Sequence, residues 1–214
     1  MTRHHLAAPK TPLAACAVAA ALALLPVSPA AAKPEVGKPA PAFTGMTAEG
    51  RTVNLSSLKG RTEVLEWTNK DCPYVRKHYG TQNMQALQKD AKAQYGVTWI
   101  SVLSSEPGAQ GHLEAAAALA NVRDTNAAPD HVVLDPEGKI GRAYAATVTP
   151  HMYVIDGDGM LRFMGGIDDK PSSRHDTVAG ATNYVRAALA DLAAGRQVAQ
   201  AVTRPYGCNI KYAD

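Results

Sequence analysis

Residues 62–75 read TEVLEWTNKDCPYV. Thr62–Thr68 carries strand-forming residues around a Val64-Leu65 centre and reads as a core strand. Asn69–Asp71 is a short polar loop. Cys72-Pro73 then opens a helix, because proline is favoured in a helix's first turn. Downstream, Met84, Leu87, Ala91 and Tyr95 recur at near-helical spacing, and Gly96 is a suitable stop. The spacing predicts one helix from Pro73 to about Tyr95.

The rest of the chain extends the same alternation. Residues 97–103 (VTWISVL) read as a buried strand, 112–123 contain an alanine-rich helix, and 131–135 (HVVLD) read as a strand. A short helix near 138–145 leads to Thr149-Pro150. Residues 152–156 and 161–165 read as strands joined by Asp156-Gly-Asp-Gly159, a strong hairpin signal. Val178, Ala181, Val185, Ala188 and Leu192 predict the apolar face of a last helix ending near Gly195. Upstream, 33–42 form a proline-rich entry, and 47–50 (TAEG) form a turn before a strand at 51–55. The expected class is α/β with a central mixed sheet flanked by helices, an N-terminal hairpin and a C-terminal extension.

The chain has 214 residues, of which 46% are hydrophobic and 19% charged, so a single globular domain is expected. Residues 1–32 read as a signal peptide. Arg3 and Lys10 supply the basic start, 13–25 the apolar run, and Ala30-Ala31-Ala32 the cleavage residues. The run is short for a membrane span, although an uncleaved N-terminal anchor is the competing reading. Leu13-Ala-Ala-Cys16 resembles a lipoprotein cleavage site, but most of the apolar run follows it, so Cys16 is read as a leader residue. Without 1–32, Lys+Arg falls from 22 to 20 against 19 Asp+Glu, leaving a formal charge of +1. That balance points away from nucleic acid and anionic membranes as partners. A domain over 33–214 is expected, with 196–214 as a tail carrying Cys208. A periplasmic or secreted location permits a Cys72–Cys208 disulfide without requiring one.

Several stretches resemble the redoxin branch of the thioredoxin superfamily, which includes the peroxiredoxin-like alkyl hydroperoxide reductase/thiol-specific antioxidant proteins. They are Gly37-Lys-Pro-Ala-Pro-Ala-Phe43, Gly50-Arg-Thr-Val-Asn-Leu55, Leu58-Lys-Gly60, the strand into Cys72-Pro73, and Thr149-Pro-His-Met-Tyr-Val-Ile-Asp156. Trp67-Thr-Asn69 with Cys72-Pro-Tyr-Val75, Lys77-His-Tyr79 and Pro205-Tyr-Gly-Cys-Asn-Ile-Lys-Tyr212 resemble an exported subgroup. The resemblance implies a thioredoxin-like fold, a cis Pro150, and thiol redox chemistry on peroxide or on protein or small-molecule disulfides. An external thiol would serve as reductant, and no cofactor would be needed. Two departures stand out. Val75 occupies the place of the second cysteine of Cys-x-x-Cys. Thr68 precedes Cys72 by four positions, where the peroxiredoxin motif has three and a proline.

Cys72 is the candidate nucleophile. A helix N-terminus favours a thiolate, and Arg76 lies one turn on. The alternative is a buried structural cysteine. Glu66 falls where the resemblance places a buried proton-relaying acid; the alternative is a solvated or salt-bridged strand residue. Thr149 and Pro150 would form the substrate loop, with Pro73 and Arg76 also on the substrate side. Cys208 is the candidate resolving thiol, with a static partner, a free thiol and a dimer link as alternatives. A non-catalytic binding module is the rival from another class. Copper binding by Cys72, His78 and His151 is a third reading. His112, His131 and His175 have no ligand spacing, and there is no phosphate loop or Ser/His/Asp signature.

Overall fold

The computed structural model describes residues 1–2 and 33–213. The expected leader, with Cys16, lies outside these residues, and residues 33–213 pack as one unit. The first strands, β1 (Thr44–Thr47) and β2 (Thr52–Asn54), form the expected hairpin around Gly50. β3 (Glu63–Trp67) is buried at every position. It pairs in parallel with β4 (Thr98–Leu103), which pairs in parallel with β5 (His131–Leu134). On its other edge β3 pairs antiparallel with β7 (His151–Ile155), which turns through the Asp-Gly-Asp-Gly hairpin into β8 (Leu161–Gly165). The seven-stranded order is β2-β1-β5-β4-β3-β7-β8. A separate two-stranded ladder joins β6 (Val148–Thr149) to β9 (Cys208–Asn209).

Strand alternation divides β3 between two cores. Leu65 and Trp67 join Tyr144, Tyr153, Val102 and Ile210 on one face. Val64 joins Met84, Leu87, Trp99, Phe163 and Val185 on the other. The helices α2 (Asn83–Tyr95) and α5 (Tyr184–Ala193) cover that second face. α3 (Ala115–Asp124) packs a smaller cluster against Leu103 and Val132. The short α4 (Lys139–Ala143) is capped by buried Asp135, which accepts the Ile140 and Gly141 amides and the Ser104 hydroxyl.

Two expectations are corrected. The helix expected to run from Pro73 to Tyr95 is two helices, α1 (Pro73–Gly80) and α2, broken at Thr81-Gln82. The Thr81 hydroxyl donates to the Lys77 carbonyl at 2.8 Å, and Gln82 then takes a left-handed conformation, φ 61. Local hydroxyl bonding of this kind competes with the helix ladder. Gly80, at the end of α1, lies against the ring of His175. The last helix was expected to take in Val178 and Ala181. It starts only at Tyr184, where the Asn183 side chain accepts the Arg186 amide at 2.9 Å. Val178 belongs instead to a 3-10 turn at His175–Val178, and left-handed Gly180 separates the two.

The break yields a test. Glycine in a helix interior costs about 1 kcal/mol relative to ordinary residues, but it relieves a left-handed position. Gln82→Gly is therefore expected to leave urea stability unchanged or raise it by up to about 1 kcal/mol. A loss of that size would mean that the helix runs through.

Candidate functional site

Asn69 turns the chain out of β3. Its carbonyl accepts the Cys72 amide at 3.1 Å, and its side-chain oxygen accepts the Asp71 amide at 2.9 Å. This tight turn delivers Cys72 to the N-cap of α1 in an extended conformation, φ −76° and ψ 121°. Capping serines and aspartates spend their side chains on the helix's free amides. The Cys72 side chain makes no such bond and is free to reach across to the loop before β7.

There the thiol donates to the Thr149 carbonyl at 3.1 Å. The Thr149–Pro150 peptide is cis, as the resemblance implies. Opposite Thr149 in the β6–β9 ladder stands Cys208. The Cys208 amide donates to Cys72 Sγ at 3.4 Å, and the Thr149 hydroxyl reaches the Cys208 carbonyl at 3.5 Å. The two cysteines, 136 positions apart, therefore share one backbone neighbour. Both are thiols; Cys72 is fully buried and Cys208 half-buried. The Cys208 thiol is pushed up to about 12, first by burial and then by its hydrogen bond and proximity to Cys72.

Gly207 makes this approach possible. Its φ is +151°, and a Cβ there would lie 1.9 Å from the Thr149 oxygen. Tyr206, one residue earlier, is anchored beside α1. Its hydroxyl donates to Asp168 Oδ1 and takes a 3.2 Å bond from the Lys77 ammonium. Further on, the Ile210 amide donates to the Thr147 carbonyl and the Tyr212 hydroxyl to the Ala146 carbonyl. The tail thus lies over Cys72 and is tied down on both sides of Cys208.

Glu66 is fully buried on the helix-covered face of β3. Its carboxylate oxygens accept Tyr79 at 2.8 Å, Trp99 at 2.9 Å, Gln88 at 3.2 Å and Ser101 at 3.4 Å. Burial raises its pKa, and these donors offset that only in part. The alternative of a solvated strand residue is thereby set aside. None of these bonds reaches Cys72; the connection to α1 runs through Tyr79.

Pro73 and Arg76 are exposed, and the cleft they line does not include Cys72, Thr149 or Pro150. They line a separate cleft of about 620 Å³, with Val75, Lys70 and His175. The three residues of the copper reading are also dispersed. His78 faces Asp168 and Tyr206, whereas His151 faces Tyr153 at 3.3 Å. Burial lowers both imidazoles to about 4. Among the described residues no cluster of three metal-ligating side chains forms. Nor, among these residues, is any helix long and apolar enough to cross a membrane.

Lys77, Asp168, Tyr206 and Gly207 join the site only through the fold. A lysine in a helix reads as a solvated side chain, and nothing local announces that Asp168 will bury it. The Tyr206-Gly207-Cys208 order was the available signal, since a glycine beside a cysteine permits close backbone approach.

The sheet, the cysteine at a helix N-cap and the facing cis-proline loop define a thioredoxin-like fold. Residues 36–164 match the family described as AhpC/TSA. The chain belongs to the AhpC/TSA family. Among solved structures it is similar to an uncharacterized conserved protein from Geobacillus kaustophilus, with a TM-score of 0.73 and 23% identity over 84% of this chain and 93% of that one. A hypothetical protein from Sinorhizobium meliloti 1021 has a TM-score of 0.72 and 22% identity, over 84% and 95% of the two chains. A chain from Chlorobium tepidum, assigned as a thiol:disulfide interchange protein DsbE, has a TM-score of 0.50 and 23% identity, over 62% and 85%. No curated protein matches the sequence.

Two outcomes follow from the geometry. Gly207→Ala is expected to lift the tail and expose Cys72. Its alkylation by a small maleimide would then speed up at least about tenfold, with the core still folded; an unchanged rate would place the tail elsewhere in solution. The second concerns Glu66, whose raised pKa means that its protonated form is favoured by folding. The stability it contributes is fully present below the ordinary carboxylate pKa and is lost as pH rises through the folded value. Glu63, raised to about 8 mainly by burial, adds to the same loss. As pH rises above the ordinary carboxylate range, the melting temperature of Glu66→Gln should therefore fall less than that of the parent. Parallel curves would contradict the burial of a protonated Glu66.

Proposed function

We propose that this chain is an exported thiol oxidoreductase in which Cys72 and Cys208 cycle between dithiol and disulfide. The observation that carries the reading is the Cys208 amide donating to Cys72 Sγ at 3.4 Å, across a ladder that pairs Cys208 with Thr149. Cys-x-x-Cys proteins take the second thiol from the same helix. Here Val75 fills that place, and the tail brings Cys208 to the sulfur instead.

The chemistry balances without a cofactor. The Cys72 sulfur attacks a peroxide O–O bond, giving a sulfenic acid and an alcohol or water. Alternatively it attacks a disulfide, giving a mixed disulfide and one thiol. Cys208 then attacks the Cys72 sulfur. Water or the second thiol leaves with the Cys208 proton, and the two cysteines are joined. An external thiol reductant returns both to thiols by two exchanges. Thr149 and Pro150 form the loop against which this happens. Since Cys72 is fully covered, a protein disulfide needs the tail to move aside, whereas hydrogen peroxide needs only a small opening. Pro73 and Arg76 would meet the outer parts of a larger substrate in the neighbouring cleft. Glu66 acts as the buried acid beneath α1, passing its influence through Tyr79 rather than touching sulfur. Residues 1–32 serve as the leader that brings residues 33–214, the redoxin domain with its 196–214 tail, to the periplasm or exterior.

One equivalent of hydrogen peroxide or of an oxidised small thiol, followed by acid quench, alkylation and peptide mapping, tests this reading. A Cys72–Cys208 disulfide should form in the parent. Cys208→Ser should stop at a sulfenic acid or mixed disulfide on Cys72, and Cys72→Ser should not react. Two thiols that stay free in the parent would refute the cycle and favour a binding module.

A further inference from the structure

Lys77 lies five residues after Cys72 on α1, and its side chain is 0% exposed. A buried ammonium is tolerated only when its charge is paired and its donors are used. Lys77 pairs in charge with the Asp168 carboxylate at 3.4 Å and donates to the Lys170 carbonyl at 2.9 Å and the Tyr206 hydroxyl at 3.2 Å. The first two come from the segment after β8. The third comes from the tail, two residues before Cys208. The Tyr206 hydroxyl also donates to Asp168 and lies 3.4 Å from His78 Nε2, and its ring meets Tyr74 edge-on at 5.8 Å.

Buried ion pairs contribute little net stability over apolar replacements of the same volume, but they are exacting about geometry. The lysine of this pair sits on the helix that carries Cys72, and the pair holds the residue that precedes Gly207-Cys208. With Tyr206 fixed to α1 and Gly207 pressed on the Thr149 carbonyl, the backbone of Cys208 is held with its amide on Cys72 Sγ.

We infer that Tyr206, held by Lys77 and Asp168, is a positioning residue that sets Cys208 against Cys72 and so governs closure of their disulfide. This rests on the dithiol reading above. In the step concerned, the Cys208 sulfur bonds to the Cys72 sulfur of a mixed disulfide, the older S–S bond breaks, and the released thiol takes the Cys208 proton. When the intermediate is a sulfenic acid, the S–O bond breaks and water leaves. Tyr206 touches neither sulfur. It acts by raising the effective concentration of one thiol at the other.

Tyr206→Phe deletes the hydroxyl and keeps the ring on Tyr74. The full-length parent and variant are equilibrated with mixtures of reduced and oxidised glutathione, acid-quenched and mapped for the Cys72–Cys208 disulfide. The variant's equilibrium constant for that disulfide is expected to fall about tenfold or more, the worth of one hydrogen bond to charged partners. In the reduced proteins, the Cys208 and Ile210 amides should lose hydrogen-exchange protection in the variant while β3 and β4 keep theirs. A lower melting temperature with an unchanged glutathione equilibrium would make Tyr206 merely structural and overturn the inference, leaving the dithiol cycle standing. A parent that forms no Cys72–Cys208 disulfide would overturn both.

Discussion

The Thr149 backbone is the place where three distant parts of the chain meet. Its carbonyl accepts the Cys72 thiol and limits residue 207 to glycine, and its Cα partner in the β6–β9 ladder is Cys208. A carbonyl with two lone pairs can serve both a side chain and a packed backbone, which a side-chain acceptor with rotamer freedom would do less reproducibly. Because Thr149 leads directly into β7, the neighbour of β3, the site is anchored to the centre of the sheet. β3 delivers Cys72 from one edge and β7 holds the facing loop on the other. The Cys72 sulfur is therefore positioned by backbone rather than by flexible side chains.

Around this centre the protein buries more polar chemistry than stability alone asks for. Glu66 is enclosed by Tyr79, Trp99, Gln88 and Ser101, and Lys77 by Asp168, Lys170 and Tyr206. Each cluster ties α1 to something else: the first to β4 and α2, the second to the segment after β8 and to the tail. Satisfied buried networks constrain geometry more than they add free energy. The short helix carrying Cys72 is thus held from two sides. Its own ladder could not do this, since it is interrupted at Gln82.

The departures from both parent motifs fit this arrangement. With Val75 buried where a second cysteine would stand, the first turn of α1 has no partner thiol to offer. The tail brings one from 136 positions away, and with it Cys72 is covered. Cys72 has no exposed surface, and the strand that covers it, β9, is only two residues long. Short edge ladders with few buried contacts are where local opening is cheapest.

Much of this was legible in the chain itself. The strand into Cys72-Pro73, the Asp-Gly-Asp-Gly hairpin and the Thr149-Pro150 loop are local signals, governed by pleat alternation, turn chemistry and helix initiation, and they determined the fold class and the candidate nucleophile. Errors came where local preference was overridden. The run from Pro73 to Tyr95 has helical periodicity throughout, yet the Thr81 hydroxyl and left-handed Gln82 divide it. Val178 and Ala181 have the right spacing for α5, but Asn183 starts that helix later. What tertiary structure alone decided was proximity: that Cys208 lies on Thr149, that Glu66 is enclosed without touching sulfur, that His78 and His151 are apart, and that Lys77 is buried. Burial and contact depend on which distant segment arrives to cover a residue, and the order of residues along a chain does not encode that distance locally.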